Sequence, residues 1–571
     1  MKKLLAMLLA LIMMFSLAAC GGSTEEESES EAPSSEAESG GEETASDRFL
    51  NVHVAAAITS IDPLQTGSGD DFEVIGHLID GLILLQGDGS LAPGLAESWE
   101  VSEDQLTWTF HLRDANWSNV NGVYAPVTAS DFVFAWQRMV DPNNAAEYAF
   151  IFGDAAGIVN ASEIVAGEKD PSELGVEAVD DKTLVVHLKA PCGFFETLMY
   201  FPAFFPASQA FVEECGDLYA TAPEYFLSCG PYVATDYSVA ATAFTLTKNE
   251  DYWDVDGVIC AGINYKVILD YQEAYLAYQN GELDVAKLSS EMVELVADDP
   301  EYQPVMTGYL WYVTPNISAD NGLENENIRK ALALSYDREH IADYILKDGS
   351  IPAYWYIPYG LSTGPDGLDY RKSVNQTETG DAETEYQYNT MDIAAAQEAW
   401  AAGLAELGVS SLSYTIVVED LETALYVAQF LKEQWETNLP GLEITIASMP
   451  KKERSDLMKN HNFDIGISRW GPDYADPMTY MTLWLSTSNS YNYGLWSNSD
   501  FDALINGVTN GDYDTQERWD VFKQAEKLVA DDYVIFPLYQ NCDATLIKSN
   551  VTGVEFHTVG LNRVFIRTVI S

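Results

Sequence analysis

One stretch, FDIGISRWGPDYADPM at residues 463–478, constrains this chain more than any other. Phe463, Ile465 and Ile467 alternate with Asp464, Gly466 and Ser468, the period of a strand buried on one face. Gly471 and Pro472 break that strand. Asp476 before Pro477 then reads as a helix start, because proline suits the first helical turn and aspartate can cap it. Asp473 is left between strand and helix, near Trp470, with no capping role. A carboxylate beside an aromatic wall at a strand end suits a cationic group such as a peptide's α-ammonium. The same pattern equally describes a solvated loop aspartate next to a core tryptophan.

At 571 residues the chain has room for about three to four domains. A 47% hydrophobic and 12% aromatic content supplies large cores. The net charge of −60 excludes a general nucleic-acid binder, which needs clustered Lys and Arg for the phosphates. It also excludes electrostatic adhesion to an anionic bilayer, so any membrane attachment is covalent or hydrophobic. Lys2 and Lys3 precede an apolar run over 4–15, the layout of a secretory signal at 1–19. No later segment reaches eighteen apolar residues. Leu17-Ala18-Ala19-Cys20 resembles a bacterial lipoprotein cleavage box, which makes Cys20 the expected lipid-attachment residue; the alternative is an ordinary signal peptide with a coincidental cysteine. Residues 21–47 hold ten acidic and no basic side chains, a composition that cannot bury enough apolar surface to fold. The segment 20–47 therefore reads as an extended, disordered acidic tether. Beyond Cys20 remain Cys192, Cys215, Cys229, Cys260 and Cys542, an odd number without zinc spacing, which reads as mostly buried small hydrophobes.

Along the folded body, strands are expected over 51–61, 106–112, 184–188, 244–247, 310–317, 413–418 and 443–447, where apolar residues alternate or run together. Helices are expected over 72–82, 128–139, 270–280, 326–335, 338–346, 394–407 and 423–435. Residues 64–69, including Thr66, Gly67 and Ser68, form a Gly-rich turn where a ligand can approach the backbone. Residues 373–390 are a polar stretch, and final strands over 535–539 and 564–570 are expected to complete a sheet begun near the N-terminus.

Several blocks together carry a family resemblance. They are Pro93-Gly94-Leu95-Ala96-Glu97-Ser98-Trp99, then Trp108-Thr109-Phe110-His111-Leu112-Arg113 and Val127-Thr128-Ala129-Ser130-Asp131-Phe132. Gly230-Pro231-Tyr232, Asn249-Glu250-Asp251-Tyr252-Trp253 and Asn280-Gly281-Glu282-Leu283-Asp284 follow. Ile328-Arg329-Lys330-Ala331-Leu332 with Asp337-Arg338, and Asp473-Tyr474 with Asp476-Pro477, complete the order. The chain resembles the extracellular solute-binding proteins of ABC importers, specifically the oligopeptide-binding family, and residues 174–183 look more like the oligopeptide branch than its nickel or sugar relatives.

The resemblance implies an α/β, bilobed periplasmic-binding-protein-like fold with a hinge, plus an α+β domain inserted in the first lobe. It places lobe one at 48–79, 207–309 and 538–571, the inserted domain at 80–206, and lobe two at 310–537. Asp473 matches the family's acceptor for the peptide α-ammonium, Trp470 and Gly471 match the strand that pairs with the ligand backbone, and Tyr148 and Tyr312 match cleft aromatics. Thr66, Gly67 and Ser68 fall where lobe one offers its own peptide-binding segment. Ile467 stands where an arginine helps position the ligand's carboxyl end in the best-known members. Lys287, Lys347 and Arg469 are the candidate substitutes, each also readable as a surface residue, and Arg469 joins the ligand-binding set. Leu310 and Gly471 stand where some members carry a disulfide, which should be missing here.

The implied function is a lipid-anchored receptor on the outer face of the cytoplasmic membrane. It would be monomeric, take an oligopeptide ligand and deliver it to ABC transporter permease subunits. Other solutes (sugars, metal chelates, opine-like compounds) and a surface peptide receptor or adhesin without transport stand as alternatives. No HExxH, GxSxG, Walker-type or zinc-spaced motif occurs and the seven histidines are scattered, so no catalytic residue, metal or cofactor is expected. His340, beside Arg338 and Glu339, reads as an exposed helix residue.

Overall fold

The computed structural model describes residues 46–571, apart from 88, 489 and 490. The signal segment, Cys20 and nearly all of the acidic tether lie outside the described residues. One long mixed sheet organises the rest. In spatial order its strands are Tyr232–Asp236, Ala243–Lys248, Cys260–Val267, Ser46–Val54, Val285–Lys287, Phe536–Ile547, Tyr302–Pro315, Ile465–Trp470, Leu412–Glu419 and Leu442–Met449. The short strand Ile351–Pro352 pairs alongside Phe536–Ile547.

Strand direction divides this sheet. Ser46–Val54 runs parallel to Cys260–Val267 and Val285–Lys287, and Leu412–Glu419 runs parallel to Leu442–Met449 and Ile465–Trp470. Between these parallel groups run two long antiparallel strands, Tyr302–Pro315 with 14 residues and Phe536–Ile547 with 12. Their register slips between Met306 and Leu310 and again between Trp311 and Tyr312. Bulges of this kind bend a ladder locally. They fall where the sheet passes from one parallel group to the other.

A separate antiparallel sheet of four strands, Ala96–Val101, Thr107–Leu112, Thr183–His187 and Val176–Asp180, carries the helix Ala129–Val140. Trp108, Phe110 and Leu112 are buried at alternate positions, as their spacing requires. Thr128 caps the helix, with a reciprocal capping box to Asp131. The second parallel group packs its own core, around Val313, Ile416 and Ile465, against the helices Glu326–Ala333, Ile393–Leu407 and Glu422–Asn438.

Several expectations need correction. The first strand is Ser46–Val54 and leaves the sheet before Ile61, and the first helix is Gly69–Leu78. Residues 564–570 do not join the long sheet: Arg563–Val564 pairs with Glu555–Phe556, and Val569–Ile570 pairs with Val551–Thr552. Side chains hold this segment instead. Arg563 makes a buried pair with Glu73, and Phe565 stacks on His77 at 5.2 Å. The polar stretch includes part of the helix Tyr370–Thr379, whose buried face is polar because Arg371 pairs with Glu526 inside the protein. Lys451–Lys459 is a helix that the periodicity did not announce. His340 is half-buried, stacked on Tyr344 and Phe430. All five described cysteines are free, and the positions 310 and 471 hold Leu and Gly.

Candidate functional site

The strand Ile465–Trp470 pairs along its whole length with Tyr302–Pro315, from Ile465 opposite Pro315 to Trp470 opposite Leu310. On its other side it pairs with Leu412–Glu419 only at Ile465 and Gly466. From Ile467 onward that edge carries no ladder partner among the described residues. Ser468, Arg469, Trp470, Gly471, Pro472 and Asp473 line a cavity of about 140 Å³. A cavity needs only about 10–15 Å³ of such space to admit one water, so this one holds several. Phe72, Tyr148, Phe201, Tyr309, Tyr491 and Tyr493 supply aromatic walls. A second cavity, between Ile83, Phe205 and Leu561, is lined mainly by apolar side chains. The first holds Asp473 just past the end of a strand with an open edge.

Asp473 is 7% exposed. Its Oδ1 accepts a hydrogen bond from the Tyr148 hydroxyl at 3.0 Å, and its backbone N–H donates to Thr479 Oγ1 at 3.3 Å. No Lys or Arg among the described residues pairs with it. Burial therefore pushes its carboxyl up to about 7, against the pull of the Tyr148 hydrogen bond. A cation placed beside it would restore the charged form.

The neighbours of Asp473 are fixed by packing. Trp470 Nε1 donates to Thr479 Oγ1 at 3.3 Å, and the indole meets Tyr491 edge-on at 4.7 Å. Gly471 has no alternative, since a Cβ there would lie 2.5 Å from the Tyr309 ring. A Cβ on Gly67 would likewise lie 2.5 Å from the Glu147 carboxylate. Glu147 accepts from Lys459 at 3.0 Å and ties the two walls of the cavity together.

Of the residues singled out from the sequence, Asp473, Trp470, Gly471, Arg469, Tyr148 and Gly67 line this cavity. Thr66, Ser68 and Tyr312 are not in its lining. Thr66 donates to Asp71 at 2.7 Å, Ser68 precedes the helix Gly69–Leu78, and Tyr312 is 5% exposed in the core. Gly69 comes to the cavity instead. Arg469 is not a free surface cation: it pairs with Glu419 and lies over Trp311 at 4.5 Å. Lys287 is held by Asp543 at 2.8 Å, and Lys347 pairs with Glu294. Ile467 is buried at 1% exposure.

Asp476 does more than cap. One oxygen accepts from the Met478 N–H at 2.9 Å, and both accept from Arg518, at 2.7 and 2.6 Å. Sequence reading missed Lys451, Arg454 and Lys459, which also line the cavity. Their available signal was helical spacing: Lys451, Arg454 and Met458 stand at i, i+3 and i+7. Met458 packs on Gly466 and turns that face toward the strand. Among the described residues no three His, Cys, Asp or Glu side chains converge to hold a metal, and no helix is long and apolar enough to cross a membrane.

Comparison with known proteins places this geometry. Residues 90–492 match the family described as bacterial extracellular solute-binding proteins, family 5 middle. The chain is 30% identical over 538 residues to a dipeptide-binding protein of Lactococcus lactis subsp. cremoris (strain MG1363), covering 91% of this chain and 94% of that one. It is also 30% identical over 568 residues to the dipeptide-binding protein DppE of Bacillus subtilis (strain 168), covering 98% and 97%. Among solved structures it is similar to Listeria monocytogenes OppA bound to peptide, with a TM-score of 0.81 and 34% identity over 92% of this chain and 99% of that one. The bilobed α/β fold expected from the sequence is the fold of these structures.

Proposed function

Because the chain belongs to the bacterial extracellular solute-binding proteins of family 5, we propose that it captures oligopeptides between two lobes and delivers them to an ABC transporter permease. One observation carries the reading: a buried carboxylate without a cation, Asp473, at the end of a strand with an open edge. Peptides differ in side chains but share a backbone and one terminal ammonium. A receptor that adds the ligand as a strand along Ser468–Gly471 reads the shared backbone, and Asp473 fixes the register through a charge-assisted bond. The aromatic walls accept varied side chains. A neutral solute would leave Asp473 buried without compensation.

The proposal takes lobe one as 48–79, 207–309 and 538–571, the inserted domain as 80–206 and lobe two as 310–537. The two long crossing strands and their bulges at 306–312 are the candidate hinge. Tyr148, from the 80–206 segment, meets Asp473 from the 310–537 segment. The mature protein is proposed to be a monomer, acylated at Cys20 and held outside the membrane by its acidic tether. Solution scattering tests capture and closure together. Saturating tri-alanine should shrink the radius of gyration and raise the melting temperature by mass action. N-acetyl tri-alanine at the same concentration should do neither. Equal responses to the two peptides would reject the ammonium reading.

A further inference from the structure

A second cavity, of about 60 Å³, lies behind the C-terminal hairpin of Glu555–Phe556 and Arg563–Val564. The hairpin serves both cavities: Gly560 and Asn562 line the one that holds Asp473, whereas His557, Leu561 and Val564 line the second. The adjacent residues Tyr200 and Phe201 divide in the same way, with Phe201 at the Asp473 cavity and Tyr200 at the second. Tyr200 packs on the hairpin, since a Cβ on Gly560 would lie 2.8 Å from its Cε2. No residue of the strands Tyr302–Pro315 or Ile465–Trp470 lines the second cavity, so it is separate from the open strand edge.

Its walls are mostly apolar, with Ile79, Ile83, Phe205 and Leu561 among them. Two polar atoms break that pattern. The Tyr200 hydroxyl and His557 Nε2 are buried without a hydrogen-bond partner among the described residues, in residues 4% and 8% exposed. Glu555 Oε2 lies 3.9 Å from that nitrogen, beyond hydrogen-bond reach. Buried polar atoms are almost always paired, so two orphans in the walls of one cavity mark a place for a partner. Burial pushes His557 down to about 4, which keeps its ring neutral at physiological pH. A neutral imidazole nitrogen donates or accepts according to its tautomer, and a phenol does both. A ligand hydroxyl suits either tautomer, whereas a carbonyl or ether only accepts. Anions are disfavoured, because Arg567, the one Lys or Arg among the described lining residues, already pairs with Asp254. Asp80 is taken as well, its Oδ2 accepting from Tyr252 and Trp253 at 2.8 Å each. An apolar cavity of about 150 Å³ holds benzene, so 60 Å³ suits a molecule of about three to four non-hydrogen atoms. We infer that this cavity is a second binding site, for a small neutral alcohol held by Tyr200 and His557. The inference does not rest on peptide binding.

Methyl NMR of the full mature chain, titrated with 2-propanol, acetone and isopropylammonium, tests it. The three probes share one skeleton: acetone accepts without donating, and the amine carries the charge that the half-buried Glu555 would favour. 2-Propanol should give saturable shifts of the Ile79, Ile83 and Leu561 methyls, and should bind about fivefold tighter than acetone, the worth of one hydrogen bond. Tyr200→Phe keeps the ring and removes the hydroxyl, and should bring the two probes within about twofold of each other. Leu561→Phe, at a half-buried position, narrows the space and should abolish the isoleucine shifts, which keeps the site testable should Tyr200→Phe fold poorly. Those results would support the site. No saturable shift, equal binding of acetone, tighter binding of isopropylammonium, or 2-propanol binding that both variants leave intact would overturn it. So would displacement of 2-propanol by tri-alanine, which would put the alcohol in the Asp473 cavity.

Discussion

Asp473 and Asp476 lie three residues apart in one loop, both under a tenth exposed, yet they do opposite things. Asp476 is closed off: Arg518 takes both oxygens and the Met478 N–H takes a further bond. Asp473 accepts one tyrosine hydroxyl and otherwise faces the cavity. A buried charge needs a partner, and for Asp476 the fold supplies one. For Asp473 it leaves that partner to come from outside. Burial alone therefore does not mark a binding carboxylate; burial without a cation, at a cavity, does.

The largest expected effect tests Asp473. Asp473→Asn keeps the size and one acceptor but removes the charge. Removing one partner of a buried pair costs about 3–5 kcal/mol, so peptides with a free N-terminus should bind roughly two to three orders of magnitude more weakly. N-acetylated peptides should scarcely distinguish the mutant from the parent. Calorimetry with a peptide and its acetylated twin measures both, and a tenfold or smaller loss would return Asp473 to a loop role.

Asp476→Asn should reverse that outcome. Asparagine would serve as a cap, so capping alone predicts a mild change. The bond to Arg518 predicts a loss of about 2–3 kcal/mol in urea unfolding, because a charge-assisted pair is broken. Peptide affinity measured well below the unfolding transition should change little. A loss under about 0.5 kcal/mol would show that the Arg518 pair adds nothing beyond the cap.

Proton linkage sharpens the comparison at smaller amplitude. The Asp473 carboxyl is raised to about 7, so the unliganded protein keeps it neutral at low pH. Its contribution to folding is fully present below the unfolded value of 3.8 and is lost as pH rises toward about 7. Binding runs the other way, since an ammonium needs the carboxylate. Affinity should fall about fivefold from pH 7 to pH 6, with a proton released on binding, and Asp473→Asn should flatten the profile. Titration in buffers of different ionisation enthalpy counts that proton; none released at pH 6 would refute the linkage.

The smallest effect belongs to the pair between Glu147 and Lys459. It spans the cavity at 3.0 Å, but its side chains are 45% and 33% exposed. Lys459→Gln should shift stability by less than about 1 kcal/mol, with the difference fading in high salt. A larger, salt-insensitive loss in thermal unfolding would mean that closure leans on this pair.

Much of this was legible along the chain. Alternation at 106–112 gave a strand with the correct buried face, residues 128–139 read as a helix that the structure has at Ala129–Val140, and Gly471-Pro472 placed Asp473 beyond a strand end. Those signals are local, set by strand period, capping chemistry and backbone freedom over a few residues. The helix Lys451–Lys459 stayed hidden because its inward face is mostly polar, and cations on such a face read as solvated. The terminal 564–570 segment misled for a different reason: its short strands pair locally and Phe565 packs on His77 of the helix Gly69–Leu78, so the apolar run does not join the long sheet.

The sequence by itself determined most of the elements, the acidic character that bars nucleic acid, and the candidacy of Asp473 among loop aspartates. Only the tertiary structure decided which carboxylates are already satisfied. Arg518 reaches Asp476 from 42 residues away, and Arg371 reaches Glu526 from 155. Tyr148 reaches Asp473 from 325, bringing a hydroxyl rather than a cation. Charge compensation is a property of neighbours in space, and a periodic pattern along the chain carries no record of them.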